Sequence, residues 1–350
     1  MLAGRSRARA IIAALAGSPS GPFVAMPRIP AVPALLALAA IALAAFALAL
    51  SAGSVAIDPE AVLHALFATG DSTQQVIVRE LRLPRAVAAF AAGGCLALAG
   101  ALLQVLLRNS LADPYVLGVS GGAAAGALTM MLLGAGAWLV PGGAFGGALA
   151  STVIVFGLAR GRGPWSPTRL LLTGVVVAAG WGAVVALILS LAPEAQLRGM
   201  LFWLIGDLSA PPATWSTLVA LALALAAALP FAGDLNALAR GDTAAAALGV
   251  DILRLPWLLF ALSAFLTAAA VTTAGAIGFV GLIVPHAVRL VLGNDQRVLL
   301  PASALAGGVL LLVADTLARQ VAAPAQLPTG VITALIGVPT FLYLLRREHR

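Results

Sequence analysis

The chain has 350 residues, of which 61% are hydrophobic and only 9% are charged, and its mean hydropathy is +1.05. A soluble domain of this size carries far more charge, so the composition indicates an all-α, polytopic membrane protein that lies in a lipid bilayer. All 20 basic residues are arginine. Because a phosphate-binding P-loop and a Schiff-base site both need a lysine, the chain has neither.

The residue types that bind metals or carry out catalysis are few and scattered. Cys95 is the only cysteine, and His64, His286 and His349 have no partner at helical spacing, so we expect no metal site and no cofactor. We find no Ser–His–Asp arrangement and assign no catalytic residue, which argues against an enzyme. The sequence pI is about 11.3, but no basic run is interleaved with aromatic residues, so nucleic acid is not an expected partner.

Apolar runs of about 16–24 residues predict about ten membrane-spanning helices. They lie at 31–51, 86–107, 116–139, 144–159, 169–192, 213–232, 255–273, 275–292, 299–319 and 329–345. An additional amphipathic surface helix is predicted at 193–206. The abundant glycine predicts close helix packing. Residues 1–30 are interpreted as a retained basic cytoplasmic leader, which leaves 31–350 as a single transmembrane domain.

The arginines predict the orientation of the chain. With both termini in the cytoplasm, about 15 of the 20 arginines face inward, as the positive-inside rule requires. The exceptions are Arg79, Arg82, Arg85, Arg198 and Arg319. Three of these form the sequence R-x-x-R-L-P-R just before the second predicted span. These exceptions either snorkel or pair locally with Glu80 and with Asp315, which has i,i+4 spacing to Arg319, or they form a positive collar for a partner's carboxylates.

Two short polar segments lie on the predicted cytoplasmic side. Residues 109–114 are rich in turn formers, and the Asp113–Pro114 pair ends any helix before it. The loop at 160–169 contains Ser166 and Thr168. Irregular backbone at a membrane face persists only where it lines a cavity or is buried in protein, so these segments either close a central pathway or are plain turns.

Residues 233–251 form a polar island, GDLNALARGDTAAAALGVD, between two apolar runs. Asp234 predicts the cap of a short helix at 235–239, and Gly241 breaks the chain. Asp242 and Thr243 predict the cap of a second helix at 244–248, which Gly249 ends. Helices this short need a packing partner. Our hypothesis is a pair of coupling helices that receive force from a soluble protein, and the alternative is an ordinary loop.

Four stretches in order resemble the FecCD-type membrane permeases of iron-chelate, haem and cobalamin ABC importers. They are 81–127 (LRLPRAVAAF…SGGAAAGA), 239–250 (ARGDTAAAALGV), 275–307 (GAIGFVGLIVPHAVRL…) and VADTLAR at 313–319 with 327–345 (LPTGVITALIGVPTFLYLL). The resemblance implies the type II ABC importer permease fold. It also implies a homodimer with one pathway between two copies, two cytoplasmic ATP-binding subunits, and a periplasmic substrate-binding protein at the bacterial inner membrane.

The same resemblance implies functional residues by position. It assigns docking of the binding protein to Arg82, Arg85 and Arg319, and the cytoplasmic gate to Asn109, Leu111, Ser166 and Thr168. It assigns contact with the ATPase to Leu235, Asn236, Arg240, Gly241, Asp242, Ala244, Ala245, Leu248 and Gly249. Ser110 departs from the family, which usually has proline there.

The implied function is passage of a ferric siderophore, cobalamin or haem from periplasm to cytoplasm, driven by the separate ATPase. The main alternative is an ion-coupled secondary transporter acting alone. Such carriers usually place ionisable groups near the bilayer midplane, and only Asp315 lies clearly within an apolar run. A membrane-embedded enzyme is the third class, and it lacks a reactive cluster.

Overall fold

The computed structural model describes residues 30–53, 57–67, 72–136, 138–160, 166–209, 214–323 and 325–348. These residues form helices and turns, with no strand among them. The helices are α1 Ala31–Ser51, α2 Pro59–Phe67, α3 Thr73–Leu106, α4 Val119–Leu132, α5 Leu139–Arg160, α6 Pro167–Leu191, α7 Glu194–Ile205, α8 Thr214–Ala228, α9 Ala232–Leu238, α10 Asp242–Ala247, α11 Leu255–Ala274, α12 Val280–Leu292, α13 Gln296–Gln320 and α14 Thr329–Glu348. Almost all of the predicted leader lies outside the described residues.

Within the part of the chain that the structure describes, ten apolar segments correspond one to one with the ten predicted spans. Seven of them are long and apolar enough to cross a membrane: α1, α3, α5, α6, α8 continued by α9, α11 and α13. Three are shorter apolar helices, α4, α12 and the Thr329–Leu344 part of α14. Two of these are shortened because left-handed residues, Gly118 and Phe279, stand immediately before α4 and α12. The predicted surface helix at 193–206 is confirmed as α7.

Helix α3 is the centre of the bundle, and 94% of its most apolar 18-residue stretch is buried. It packs against α8, α11, α12 and α13. Ser72 begins it with a capping box, in which the Ser72 hydroxyl and the Gln75 side chain each accept from the other's backbone N–H. This signal in the sequence places the helix start at residue 73 and not near 86, where our prediction put it.

The R-x-x-R-L-P-R stretch, which our prediction put just before the second span, therefore lies inside α3. Pro84 lacks an N–H and its ring crowds the carbonyl four residues earlier, which normally breaks a helix. The preceding residues Ile77–Arg82 wind as a π-helix, and the Leu83 N–H donates to the carbonyl of Val78, five residues back. This wider winding accommodates the proline without ending the helix.

Glycines bring the central helices into backbone contact. A Cβ added to Gly93 would collide with the carbonyl of Gly307 in α13, and one added to Gly100 would collide with the carbonyl of Gly281 in α12. Helices α4 and α5 approach in the same way, through Gly126. The prediction of close packing through small residues is confirmed, and it fixes the relative heights of α3, α12 and α13.

Candidate functional site

Polar residues concentrate at the two ends of the bundle. Helices α3 and α13 run antiparallel, because Arg85 early in α3 meets Asp315 late in α13, while Asp295 stands at the start of α13. The 20 residues from Asp295 to Asp315 rise about 30 Å, so the two ends are separated by the thickness of a bilayer core. One end carries α9 and α10.

The 233–251 loop contains the two predicted short helices, α9 and α10. Gly241 stands between them with a φ of +110°, a conformation that suits glycine. The predicted side-chain caps are wrong. Because α9 continues from α8 through a 3-10 turn, Phe231 is its N-cap and Asp234 lies within its first turn. Gly241 itself takes the N-cap position of α10, so Asp242 and Thr243 lie inside that helix.

Helix α9 is anchored to the start of α13. Leu235 is fully buried. The Asn236 side-chain amide donates to Oδ1 of Asp295 at 2.9 Å, and its Oδ1 accepts from the backbone N–H of Gln296 at 2.9 Å. The hydrogen bond from Asn236, with the backbone N–H and the charge of Arg297, lowers the pKa of Asp295 below its ordinary value. The contact ties the loop to a core helix.

The outer face of the same loop is open. Arg240 and Gly249 are exposed, Ala244 is half-buried, and the side chain of Leu248 is 67% exposed. Ala245, by contrast, is fully buried and holds α10 against the bundle. A large apolar side chain presented by an anchored helix is a feature of protein contact surfaces.

The α3–α4 loop, residues 107–118, lies beside α10. Arg108 pairs with Asp242, with 2.7 Å between Nη2 and Oδ2. Asn109 is exposed, and its Oδ1 accepts from the N–H of Leu111 at 2.9 Å, which closes a tight turn. Leu111 is 39% exposed. Further on, the Tyr115 hydroxyl accepts from the buried N–H of Ile277 at 2.9 Å, so the irregular backbone is embedded in protein.

Ser166 and Thr168 lie at the start of α6. Ser166 is its N-cap, and its hydroxyl accepts from the N–H of Arg169 at 3.4 Å, whereas Thr168 is exposed. Two turns further along α6, Gly174 packs against Val116 of the α3–α4 loop. The α3–α4 loop therefore meets α6 through its Pro114–Leu117 turn, and Ser166 and Thr168 begin the same helix. No hydrogen bond joins the two predicted gate segments within the described ranges, and residues 161–165 of the second loop lie outside them.

At the opposite end, Asp315 is the centre of a buried ionic cluster. Its fully buried carboxylate accepts from Nε and Nη2 of Arg85 at 2.9–3.1 Å and from the Thr329 hydroxyl at 3.0 Å, and it lies 3.3 Å from Nε of Arg319. The third Arg85 nitrogen, Nη1, donates to Oε1 of Gln326 at 2.8 Å. The predicted i,i+4 pair of Asp315 and Arg319 is confirmed, and Arg85 is an additional partner.

Arg82 and Arg319 also hold the end of α1. Arg82 donates to the carbonyls of Leu50 at 2.6 Å and Ser51 at 2.9 Å, and Arg319 donates to those of Ala49 and Ala52 at 3.3 Å. Cations suit the carbonyls at a helix C-terminus. The three predicted docking arginines are thus brought together as one cluster, but they are largely buried and not an open collar.

Sequence reasoning missed Arg108 as the partner of Asp242, and Asp295 as the partner of Asn236. The separations are 134 and 59 residues, so no local pattern reports either contact. A local signal exists only for Asp295, since an aspartate before an apolar run predicts a helix cap, and its side chain does accept from the N–H of Arg297 at 3.1 Å.

Comparison with known proteins identifies the family of the chain. The model of the FecCD transport family matches residues 40–347. The cobalamin import system permease protein BtuC of Halobacterium salinarum is 46% identical over 284 residues, which cover 79% of this chain and 76% of that protein. The hemin transport system permease protein HmuU of Yersinia pestis is 44% identical over 281 residues, which cover 77% of this chain and 83% of that protein.

A solved structure, described as an inward-facing conformation of an ABC transporter of metal-chelate type, has the same fold. Its TM-score is 0.82 at 29% identity, over 90% of this chain and 99% of that one. The predicted all-α permease fold is therefore confirmed, and the two alternative classes, a carrier acting alone and a membrane enzyme, are excluded. The chain belongs to the FecCD transport family, and it is a multi-pass permease subunit of an ABC transporter, not an enzyme.

Proposed function

We propose that the chain carries a metal chelate, cobalamin or haem from periplasm to cytoplasm across the bacterial inner membrane, as one half of a homodimer. Two relatives named for cobalamin and hemin transport support this class of cargo. The single observation that carries the mechanism is an anchored helix pair, α9 and α10, that presents Leu248 outward beside the α3–α4 loop. The proposal keeps the predicted orientation, in which both termini lie in the cytoplasm.

The 233–251 loop would be the surface that a separate ATPase subunit contacts. Leu248, Gly249 and Arg240 would face the ATPase, while Leu235, Asn236 and Ala245 fix the loop to the bundle. A rigid attachment to α13 supports this role, because a loose loop would absorb movement instead of passing it on. Gly241 would set the angle between the two helices.

Asn109, Leu111, Ser166 and Thr168 would form the cytoplasmic gate. Because both segments adjoin α6, the pathway they close would run along that helix. Helix α6 is the least buried of the seven long apolar helices in the described residues, since only 11% of its most apolar 18-residue stretch is buried within one copy. A second copy facing α6 would enclose a pathway between the two protomers, which supports a homodimer.

The coupling role is tested with Gly241→Pro in the reconstituted transporter, where ATP hydrolysis and cargo uptake are measured together. Proline fixes φ near −65°, far from the +110° that Gly241 adopts, so we expect uptake to fall while the ATPase subunits still hydrolyse ATP. Gly157→Ala is the matched control, because Gly157 lies within α5, outside the 233–251 loop, with no atom within 4 Å of an added Cβ. Normal uptake by Gly241→Pro would refute the coupling role.

Docking of a periplasmic binding protein would use the arginine cluster. It contains three guanidiniums and one carboxylate, and this excess of positive charge supports a partner with acidic side chains. We expect Arg82→Gln or Arg319→Gln to weaken binding of the acidic partner at least about tenfold. Arg198→Gln, an exposed arginine stacked on Phe202, is the matched control. Unchanged affinity in both cluster variants would exclude docking there.

The cargo is tested by uptake of three labelled compounds, a ferric siderophore, cobalamin and haem, each with its own binding protein. The permease alone in liposomes should hydrolyse no ATP and take up nothing in response to an ion gradient. Uptake driven by a proton or sodium gradient without the ATPase would contradict the proposal.

A further inference from the structure

Arg108 is the residue that joins the α3–α4 loop to the 233–251 loop. Its Nη2 donates to Oδ2 of Asp242 at 2.7 Å across 134 residues of sequence. The Arg108 side chain is 32% exposed and that of Asp242 is 45% exposed, so the pair is half-covered. We name this contact the Arg108–Asp242 bridge.

The backbone at Arg108 is unusual for its residue type. Its φ is +49°, in the left-handed region that non-glycine residues seldom adopt. Arg108 follows the last turn of α3 as the C′ residue of a Schellman motif. The N–H of Asn109 donates to the carbonyl of Gln104 at 3.1 Å, and the N–H of Arg108 donates to the carbonyl of Val105 at 3.2 Å. Glycine is usual at this position because it lacks a Cβ. An arginine there costs backbone strain, and its side chain pairs with Asp242.

The other partner of the bridge is equally constrained. Asp242 is the first residue of α10, directly after Gly241, whose φ is +110°. A Cβ at Gly241 would lie 3.8 Å from Nη1 of Arg108, so the guanidinium lies against the turn between α9 and α10. A shift of α10 therefore acts on Arg108 without an intermediate element.

The position of Arg108 determines which neighbouring element moves when α10 shifts. On one side stands α3, which is packed on four helices and cannot move alone. On the other side is the turn closed by Asn109 and Leu111, whose side chains are exposed and which is held by single hydrogen bonds. The softer side yields first, so a pull on Arg108 displaces the Asn109–Leu111 turn.

We propose that the Arg108–Asp242 bridge transmits movement of α10 to the Asn109–Leu111 turn, and that Arg108 and Asp242 are positioning residues for opening of the gate. The inference rests on the proposed function, which assigns coupling to α10 and gating to the turn. It adds the physical link between them.

The first test uses the reconstituted transporter, with cargo uptake and ATP hydrolysis measured in the same vesicles. Arg108→Gln and Asp242→Asn are each expected to lower uptake per ATP about twofold to fivefold, the size of a surface ion pair, while hydrolysis persists. The exchange of charges, Arg108→Asp with Asp242→Arg, should restore the ratio. Arg254→Gln is the matched control, since Arg254 pairs at 3.5 Å with Asp251 only three residues away and is 91% exposed.

The second test follows hydrogen exchange in the purified permease alone. The amides of Asn109 and Ala112, which close the turn with backbone hydrogen bonds, should exchange about twofold to fivefold faster in Asp242→Asn and unchanged in Arg254→Gln. An unchanged ratio in both single variants, or unchanged exchange, would overturn the proposal. A wild type without ATP-driven uptake would overturn the proposed function instead, and the exchange result would still decide whether the bridge holds the turn.

Discussion

Replacing Asp315 with asparagine removes the charge that Arg85 and Arg319 share. The carboxylate is fully buried, and the two guanidiniums are only 9% and 11% exposed, so little water can replace it. Breaking a buried ion pair by removing one partner costs about 3–5 kcal/mol, because the other charge stays buried and unpaired. Arg319, which also donates to carbonyls at the end of α1, would lose its orientation at the same time.

The sole cysteine provides the measurement. Cys95 is fully buried near the middle of α3, so a thiol-reactive fluorophore labels it only when the bundle opens. A cost of about 3–5 kcal/mol, at about 1–2 °C per kcal/mol for a chain of 350 residues, lowers the labelling midpoint by roughly 3–10 °C. Glu80→Gln is the control, because Glu80 is an exposed carboxylate on the same helix, and its midpoint should shift by less than about 2 °C.

A double variant separates the pair from other effects of the substitution. Arg85→Gln combined with Asp315→Asn should be less destabilised than the sum of the single changes, by about 1 kcal/mol or more, because the two residues share three hydrogen bonds. A midpoint for Asp315→Asn that equals the wild type would refute the view that this cluster holds α1, α3 and α13 together. Simple additivity would refute the pairing.

Two further outcomes follow from the packing and the charges. Gly100→Ala should destabilise the bundle by at least about 1–3 kcal/mol, because its Cβ would collide with the carbonyl of Gly281. Gly180→Ala should not, because no atom lies within 4 Å of its added Cβ. Equal midpoints of Cys95 labelling in the two variants would contradict this. Asn236→Ala should return the pKa of Asp295 towards its ordinary value. A lowered pKa of Asp295 stabilises the fold above about pH 4, and this stabilisation is lost as the pH falls through the folded-state pKa. The unfolding midpoint, measured by tryptophan fluorescence, should therefore differ between wild type and Asn236→Ala at about pH 6. This difference should shrink by about pH 3. A constant difference across that range would assign the effect to the uncharged hydrogen bonds alone.

Local sequence predicted the helices well because a bilayer imposes a simple rule. A run of apolar residues long enough to cross the hydrocarbon core must be a helix, since no water is available to satisfy the backbone. Gly241 and the polar island around it likewise predicted two short helices, and glycine explains where they divide. The start of the second span was placed near 86 because the apolar run begins there, whereas the capping box at Ser72 begins α3 and a π-helical segment carries the helix through Pro84.

The amino-acid sequence by itself therefore determined the class of protein, the ten apolar segments and the position of the 233–251 loop. Tertiary structure alone decided that the three arginines are buried, that Arg85 meets Asp315 across 230 residues, and that Arg108 meets Asp242. The physical reason is that hydrophobicity and caps act within a few residues, whereas these ion pairs depend on how antiparallel helices align. Glycines such as Gly93 and Gly100 set that alignment, and it appears only when the helices are packed together.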